Sequence, residues 1–162
     1  MLRTILSFLA LIFVLSACSG PNSNTGSNAG SILRSNLGSS ARSHIVTTAQ
    51  DALLTRYGYR FNREVNTVED VRFETSWKDL TLLGDEQAAG YIEVRVRITI
   101  TARPRNRAAG TGATFSSRFE AEFEAIVTSG GNYQPVPITP EREEYILEIA
   151  DYLENEFKAG VM

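Results

Sequence analysis

Three arginines, Arg103, Arg105 and Arg107, alternate with Pro104 and Asn106 between two strand-like segments. A guanidinium presents a planar fork of N–H donors that binds a phosphate or carboxylate group through two parallel hydrogen bonds. A basic hairpin tip at this spacing could contact lipid phosphates, lipopolysaccharide or an acidic partner. The interpretation that we favour is a mobile, soluble loop whose charges blunt the edge of a sheet.

Three glutamates, Glu120, Glu122 and Glu124, occupy alternate positions and would lie about 7 Å apart on one face of a strand. Carboxyl groups at such a spacing are compatible with the acid and base work of glycosidases. The competing interpretation is a solvated face on which they pair with Arg95 and Arg97. We favour this second interpretation, because nothing in the pattern indicates the burial that acid catalysis by a carboxyl group requires.

The chain has one histidine, His44, and one cysteine, Cys18. A Ser-His-Asp or Cys-His triad would need His44, which lies near the start of an amphipathic helix pattern and is expected at the surface. A zinc site needs several histidine or cysteine ligands. The sequence therefore predicts no catalytic residue, no metal and no cofactor, and the protein is not expected to be an enzyme.

The first residues are organised like an export signal. Residues 1–4 contain the only charge, Arg3, and residues 5–15 are apolar apart from Ser7. This run is shorter than the roughly 20 residues that a bilayer-spanning helix needs. The run ends in Leu15-Ser16-Ala17-Cys18, which resembles the lipobox of bacterial lipoproteins at every position.

That resemblance implies that residues 1–17 are a signal peptide, that the chain is cut before Cys18, and that Cys18 is the lipidation site, bearing acyl chains such as palmitate. Two or three chains make the membrane anchor effectively permanent, since each buried methylene contributes about 0.8 kcal/mol. The residue after Cys18 is Ser19 and not aspartate. In a diderm source, the resemblance therefore implies that the protein is anchored in the outer membrane and faces the periplasm. In a monoderm source it implies the outer face of the plasma membrane.

Residues 18–40 are predicted to be the lipidated cysteine and a flexible tether. From residue 19 to residue 31, twelve of thirteen residues are Ser, Gly, Asn, Thr or Pro, which cannot bury enough apolar surface to offset the entropy of ordering. Ile32, Leu33 and Leu37 interrupt this polar run. They either dock on the folded domain, which is expected over residues 41–162, or begin its first helix early.

Two helices are predicted at the two ends of this domain. Apolar residues at helical spacing mark the first, from about residue 40 to residue 57, with Gly58 ending it. The second runs from Pro140 to about Lys158, with Thr139 as its N-cap. It has seven acidic residues against Arg142 and Lys158, so the domain is expected to be bipolar.

Alternating patterns predict three long strands between the helices. The apolar positions are Val71, Phe73, Thr75 and Trp77 in the first strand, Ile92 to Ala102 in the second, and Phe115 to Val127 in the third. A short edge strand over residues 59–63 is a further expectation. Opposite charges across strands stabilise a sheet, so Arg97 is predicted to face Glu120 or, in the neighbouring register, Glu122, but not Arg118.

The predicted fold class is α+β, an antiparallel three- or four-stranded meander with an N-terminal and a C-terminal helix packed on one face. With 16 basic and 19 acidic residues and a net charge of −3, no nucleic-acid partner is expected. The leading hypothesis is a lipid-anchored, non-enzymatic binding or scaffold module with a protein partner in the cell envelope. The alternatives are a carrier of a lipid or small apolar ligand and, third, a hydrolase using Glu120 and Glu122.

Overall fold

A computed structural model describes residues 30–105 and 113–160, which form an antiparallel sheet and three helices. The first helix, α1, continues as a π-helical segment over Asp51–Arg56. In chain order the elements are β1 (Ile32–Ala41), α1 (Arg42–Gln50), β2 (Phe61–Asn66), β3 (Val71–Thr75), β4 (Lys78–Leu80), α2 (Gly84–Ala88), β5 (Glu93–Pro104), β6 (Thr114–Ile126), β7 (Gln134–Pro135) and α3 (Pro140–Ala159).

The strands pair in the order β1-β6-β5-β3-β2, while β4 extends the sheet along β5 and β7 extends it along β6. The mixed helix and strand class is confirmed, as is the antiparallel succession of the three long predicted strands, β3, β5 and β6. The predicted number of three or four strands is wrong, because the sheet has seven. Strands of two or three residues, such as β4 and β7, are too short to leave an alternating pattern in a sequence.

The assignment of residues 18–40 to a tether is wrong at its carboxyl end, because Ile32–Ala41 forms β1 and pairs with β6. Leu33 and Leu37 are buried in the core. The register shifts at Asn36/Gly38, so Leu37 is the extra residue, and Gly38 takes φ +81°, which a residue without Cβ adopts easily. The bulge moves the positions that face the core from Leu33 and Ser35 to Gly38 and Ser40, which breaks the strand alternation.

The first predicted helix is confirmed as α1 with its π-helical continuation. Its apolar residues are fully buried, namely Ile45, Ala49, Ala52 and Leu53. Gly58 follows the helix with φ +63°, as a C′ glycine should. The predicted edge strand is also present, displaced by about two residues as β2 at the end of the sheet.

The predicted C-terminal helix is confirmed as α3, and its apolar stripe is buried in the same core as α1 and the apolar sheet face. Both helices therefore cover one face of the sheet, as predicted. Thr139 occupies the N-cap position but makes no capping hydrogen bond through its side chain. Instead, the Asp85 carboxylate of α2 accepts a 2.8 Å hydrogen bond from the Glu141 backbone N–H.

A buried ion pair fixes α2 against the start of α3. The Arg142 guanidinium donates to both carboxylate oxygens of Glu86 at 2.7 and 2.9 Å, and the two residues are 3% and 0% exposed. Arg142 also donates to the Thr81 carbonyl oxygen, and the Leu83 backbone N–H donates to Glu86, each at 2.8 Å. The hydrogen bonds of both Arg142 and Glu86 are thus made within the folded domain. The sequence alone does not predict α2.

The strand register follows the charges. Arg97 lies opposite Glu122 and Arg95 opposite Glu124, so the second of the two predicted registers is confirmed. Arg97 and Glu122 form an ion pair at 2.7 Å. Arg118 lies opposite Thr101 instead of Arg97, which fixes the positions of the polar side chains described next.

Candidate functional site

The sheet face turned away from the core carries alternating charged and hydroxyl side chains, and we call it the open face. In an antiparallel sheet, residues directly opposite one another point to the same side, so the register assigns this face. On β5 and β6 it consists of Glu93, Arg95, Arg97, Thr99, Thr101, Arg103, Ser116, Arg118, Glu120, Glu122 and Glu124. The candidate site lies here because the helices bury their apolar residues in the core on the other face.

A shallow cavity of about 230 Å³ opens on this face, and we call it the arginine groove. Three strands each contribute one guanidinium, while β5 contributes hydroxyl groups to its floor. Its lining residues are Arg34, Ser35, Arg72, Thr99, Thr101, Arg118, Phe119 and Glu120. Since these residues come from β1, β3, β5 and β6, only the folded sheet brings them together.

The three arginines differ in how far they are neutralised. Arg34 forms an ion pair with Glu120 at 2.7 Å, and Arg72 forms one with Glu74 at 3.2 Å. Arg118 is exposed and forms no ion pair with any residue in the described part of the chain. Among the described residues, Arg118 is therefore the groove arginine that no carboxylate neutralises.

One residue of the predicted hairpin tip, Arg103, lies next to this groove. Arg103 follows Thr101 on the same face of β5, its side chain is 82% exposed, and it lies 3.6 Å from Asp70. Arg105 is exposed, and its backbone N–H donates to the Thr114 carbonyl oxygen at 2.9 Å. Arg107 lies outside the described residues, as does Cys18. Of the three predicted tip arginines, Arg103 is thus the one that the described residues show on the groove side of β5.

Sequence reasoning did not identify the groove arginines. Arg72 and Arg118 stand at polar positions of predicted strands, and the observed register places them on either side of Thr101. Knowing that register would have revealed the pair. Arg34 could not be found in this way, because the polar residues around it are typical of a tether and not of a strand.

A second cluster on the open face stacks arginines on aromatic rings. The Arg95 guanidinium lies 4.6 Å from the Trp77 ring centre and 3.9 Å from that of Tyr133, and Arg97 lies 4.8 Å from Trp77. Such contacts are electrostatically favourable. Glu124 accepts from the Arg95 Nε at 2.9 Å. Because their rings and guanidiniums contact one another, these residues form an aromatic border of the open face.

The prediction that Trp77 shares the buried face with Phe73 is wrong. Glu74 pairs with Thr99, and Lys78 pairs with Val96. Between these two pairs lie three residues of the chain leading from β3 to β4 (75–77) but only two residues of β5 (97 and 98). The extra residue is a bulge that reverses the alternation. At the break, the Thr75 hydroxyl accepts a 2.9 Å hydrogen bond from the Ile98 backbone N–H. Trp77 therefore stacks on arginines of the open face.

The Tyr133 phenol is held beside two carboxylates, 2.9 Å from Glu93 and 3.2 Å from Asp79. Burial, the hydrogen bond to Glu93 and the negative charge of Asp79 raise the pKa of Tyr133 to about 12 from its usual 10.0. The phenol is thus kept protonated and donates to a carboxylate.

The free energy of unfolding is expected to fall less at alkaline pH in a Tyr133→Phe variant than in the natural chain. A tyrosine whose pKa is raised by folding contributes stability below pH 10, and that contribution is lost as the pH rises toward 12. Urea unfolding at about pH 8 and about pH 11 should show a smaller drop for the variant than for the natural chain. The ultraviolet titration of the variant should also lack one tyrosinate step near pH 12; loss of a step near pH 10 would contradict the prediction.

The three glutamates considered for acid and base work are all ion-paired: Glu120 with Arg34, Glu122 with Arg97 and Glu124 with Arg95. Two of these pairs are the ones expected from the sequence, and the Arg34 pair is additional. A guanidinium occupies acceptor positions that a catalytic carboxyl group needs for its substrate. This arrangement favours the solvated, paired face over the catalytic interpretation.

His44 was expected at the surface, but it is half-buried between α1 and α3. Its Nε2 lies 2.8 Å from the Glu156 carbonyl oxygen, close to the end of α3. A histidine N–H at that position satisfies a helix carbonyl that lacks an intrahelical partner. Its position gives His44 a role in joining the helices.

No family model matches the chain, and no curated protein matches it either. In residues 30–105 and 113–160, no helix is long and apolar enough to cross a membrane. The same residues contain no group of three or more His, Cys, Asp or Glu side chains placed to hold a metal ion. Function has therefore to be inferred from the residues and their geometry.

Proposed function

We propose that this chain is a lipid-anchored cell-envelope protein whose folded domain is a non-enzymatic binding or scaffold module, and that the open face is its binding surface. The observation that carries the proposal is the asymmetry of the sheet. One face is buried under α1 and α3, whereas the other presents the arginine groove and the aromatic border. Grooves lined by convergent arginines suit the recognition of acidic groups.

The anchor supports an envelope location. The lipobox-like Leu15-Ser16-Ala17-Cys18 supports Cys18 as the lipidation site. Because the Gly30 and Ser31 carbonyl oxygens already accept hydrogen bonds from the folded domain, the segment between lipid and fold shortens to residues 19–29, whose fully extended limit is about 40 Å. The domain would then work close to its membrane, at the outer membrane of a diderm source or the outer face of a monoderm plasma membrane, where an envelope partner would meet the open face.

The carrier alternative has less support. It requires an apolar cavity beneath the helices, but Phe119, Phe123 and Ile149 are buried at 1% exposure or less within one continuous core. The arginine groove lies on the opposite face and is polar. The hydrolase alternative is weakened by the ion pairs of Glu120 and Glu122.

Site-specific photo-crosslinking tests the proposed binding surface. A photoreactive residue replaces Ser116, which is exposed on the open face next to the groove, in the full chain in its native membrane. Glu148, exposed on α3, is the matched control position on the helix side. Discrete protein adducts are expected from Ser116 and not from Glu148. Equal adducts from both positions, or adducts from Glu148 alone, would contradict binding by the open face.

A further inference from the structure

The arginine groove has the layout of an anion site. Arg118 on β6 and Arg72 on β3 both lie directly opposite Thr101 on β5, one on each side. Neighbouring strands are about 4.8 Å apart, so the two arginines start roughly 10 Å apart with a hydroxyl group between them. An anion above Thr101 is within reach of both guanidiniums, since an arginine side chain extends over most of that distance.

The charges of the groove are not balanced. Its lining contains three arginines and one glutamate, Glu120, which leaves a formal charge of +2. Outside the lining, Glu74 partly neutralises Arg72 at 3.2 Å. The Nε of Arg72 is shielded from solvent and has no hydrogen-bond partner in the described part of the chain. The surplus of donors is therefore concentrated on Arg118 and Arg72, around Thr101.

The donors suit a tetrahedral anion better than a planar one. One guanidinium fork engages both oxygens of a carboxylate through two parallel hydrogen bonds, and the remaining acceptor sites of the carboxylate lie in the same plane. A phosphate has additional acceptor oxygens, so it accepts from the Arg118 and Arg72 forks and from the Thr101 hydroxyl together. At about 230 Å³ the groove also has room for an organic group attached to the phosphate.

We propose that the arginine groove binds a phosphate group, above all the doubly charged phosphate of a monoester, through Arg118, Arg72 and Thr101. This inference rests on the proposed binding function of the open face and specifies the chemistry of its ligand. The phosphate belongs either to a soluble monoester or to a lipid headgroup in the neighbouring membrane. Both sources offer the same anion to the groove.

The test is a titration of the full chain in neutral detergent micelles at neutral pH, followed by the NMR signals of the arginine Nε–H groups. Methyl phosphate is the probe and acetate is the planar comparison. Saturable shifts are expected for Arg118 and Arg72, with methyl phosphate binding at least about tenfold more tightly than acetate. Equal affinities, or shifts that do not saturate, would overturn the proposal.

Two variants distinguish binding in the groove from non-specific attraction by the positive charges of the protein. Arg118→Gln is expected to weaken methyl phosphate binding about tenfold, the loss of one charge-assisted contact. Arg60→Gln removes the same charge from an exposed position outside the groove lining and should change the affinity less than about twofold. Equal weakening by both variants would show a non-specific field and would overturn the site. The spectra themselves report whether each variant is folded.

Vesicles distinguish the two sources of phosphate. Phosphatidylcholine vesicles with and without phosphatidic acid are added to the full chain. If the Arg118 and Arg72 signals move with phosphatidic acid, the headgroup reaches the groove; if they move only with methyl phosphate, the ligand is soluble. Either result supports a phosphate site. Failure of both probes while Ser116 still cross-links a partner would overturn the phosphate proposal alone, whereas loss of cross-linking would count against the binding surface.

Discussion

Replacing Glu86 with alanine is expected to lower the free energy of unfolding by about 3–5 kcal/mol. The carboxylate is fully buried and receives two hydrogen bonds from Arg142 and one from the Leu83 backbone. Without it, a buried guanidinium keeps only the Thr81 carbonyl oxygen among these partners. Removing one member of a buried pair leaves an uncompensated charge, which costs more than the intact pair contributes.

Urea unfolding of the full chain, followed by circular dichroism, measures this effect. Glu144→Ala is the matched control, because Glu144 is an exposed glutamate of α3, and its effect should stay within about 0.5 kcal/mol. Replacing both Glu86 and Arg142 by apolar residues of similar volume should recover much of the lost stability. A Glu86→Ala variant no less stable than Glu144→Ala would show that the pair contributes nothing.

Cys18→Ser is expected to abolish lipidation completely. A hydroxyl group cannot form the thioether by which proteins resembling this one carry diacylglycerol, and the chain has no other cysteine. Radiolabelled palmitate supplied to expressing cells should label the natural chain and leave the variant unlabelled. The mass of the natural chain should correspond to cleavage before Cys18 plus its lipids.

Ser16→Ala is the control for this experiment. It leaves Cys18 in place and keeps a small residue before the cleavage site, so the palmitate label should persist. Label that survives in Cys18→Ser would place the lipid elsewhere. An unlabelled natural chain would remove the anchor from the proposed function, while the open face would keep its own test through Ser116.

Much of the fold was predictable because its pattern is local. The alternation in β5 and β6 is long enough to reveal a strand with one wet and one buried face. The charges then limited the register to two choices, one of which is observed, with Arg97 facing Glu122. The helices were similarly evident from apolar residues at helical spacing and from Gly58 and Pro140 near their ends.

Bulges explain two of the errors in strand assignment. An extra residue near Gly38 disguised β1 as part of a tether, and another after Glu74 turned Trp77 to the open face. A bulge is stabilised by the partner strand, here through contacts such as the hydrogen bond from the Ile98 backbone to Thr75. Residues near the bulge in sequence do not reveal that partner.

The sequence by itself determined the lipobox-like segment at Cys18, the two main helices, the polar and apolar faces of the central strands and the basic character of Arg103 and Arg105. Those features depend on neighbours within a few residues. Only the tertiary structure decided that Glu86 and Arg142, 56 residues apart, form a buried pair. It alone placed Arg34, Arg72 and Arg118 around one groove, because strands distant in sequence become neighbours only once their register is fixed.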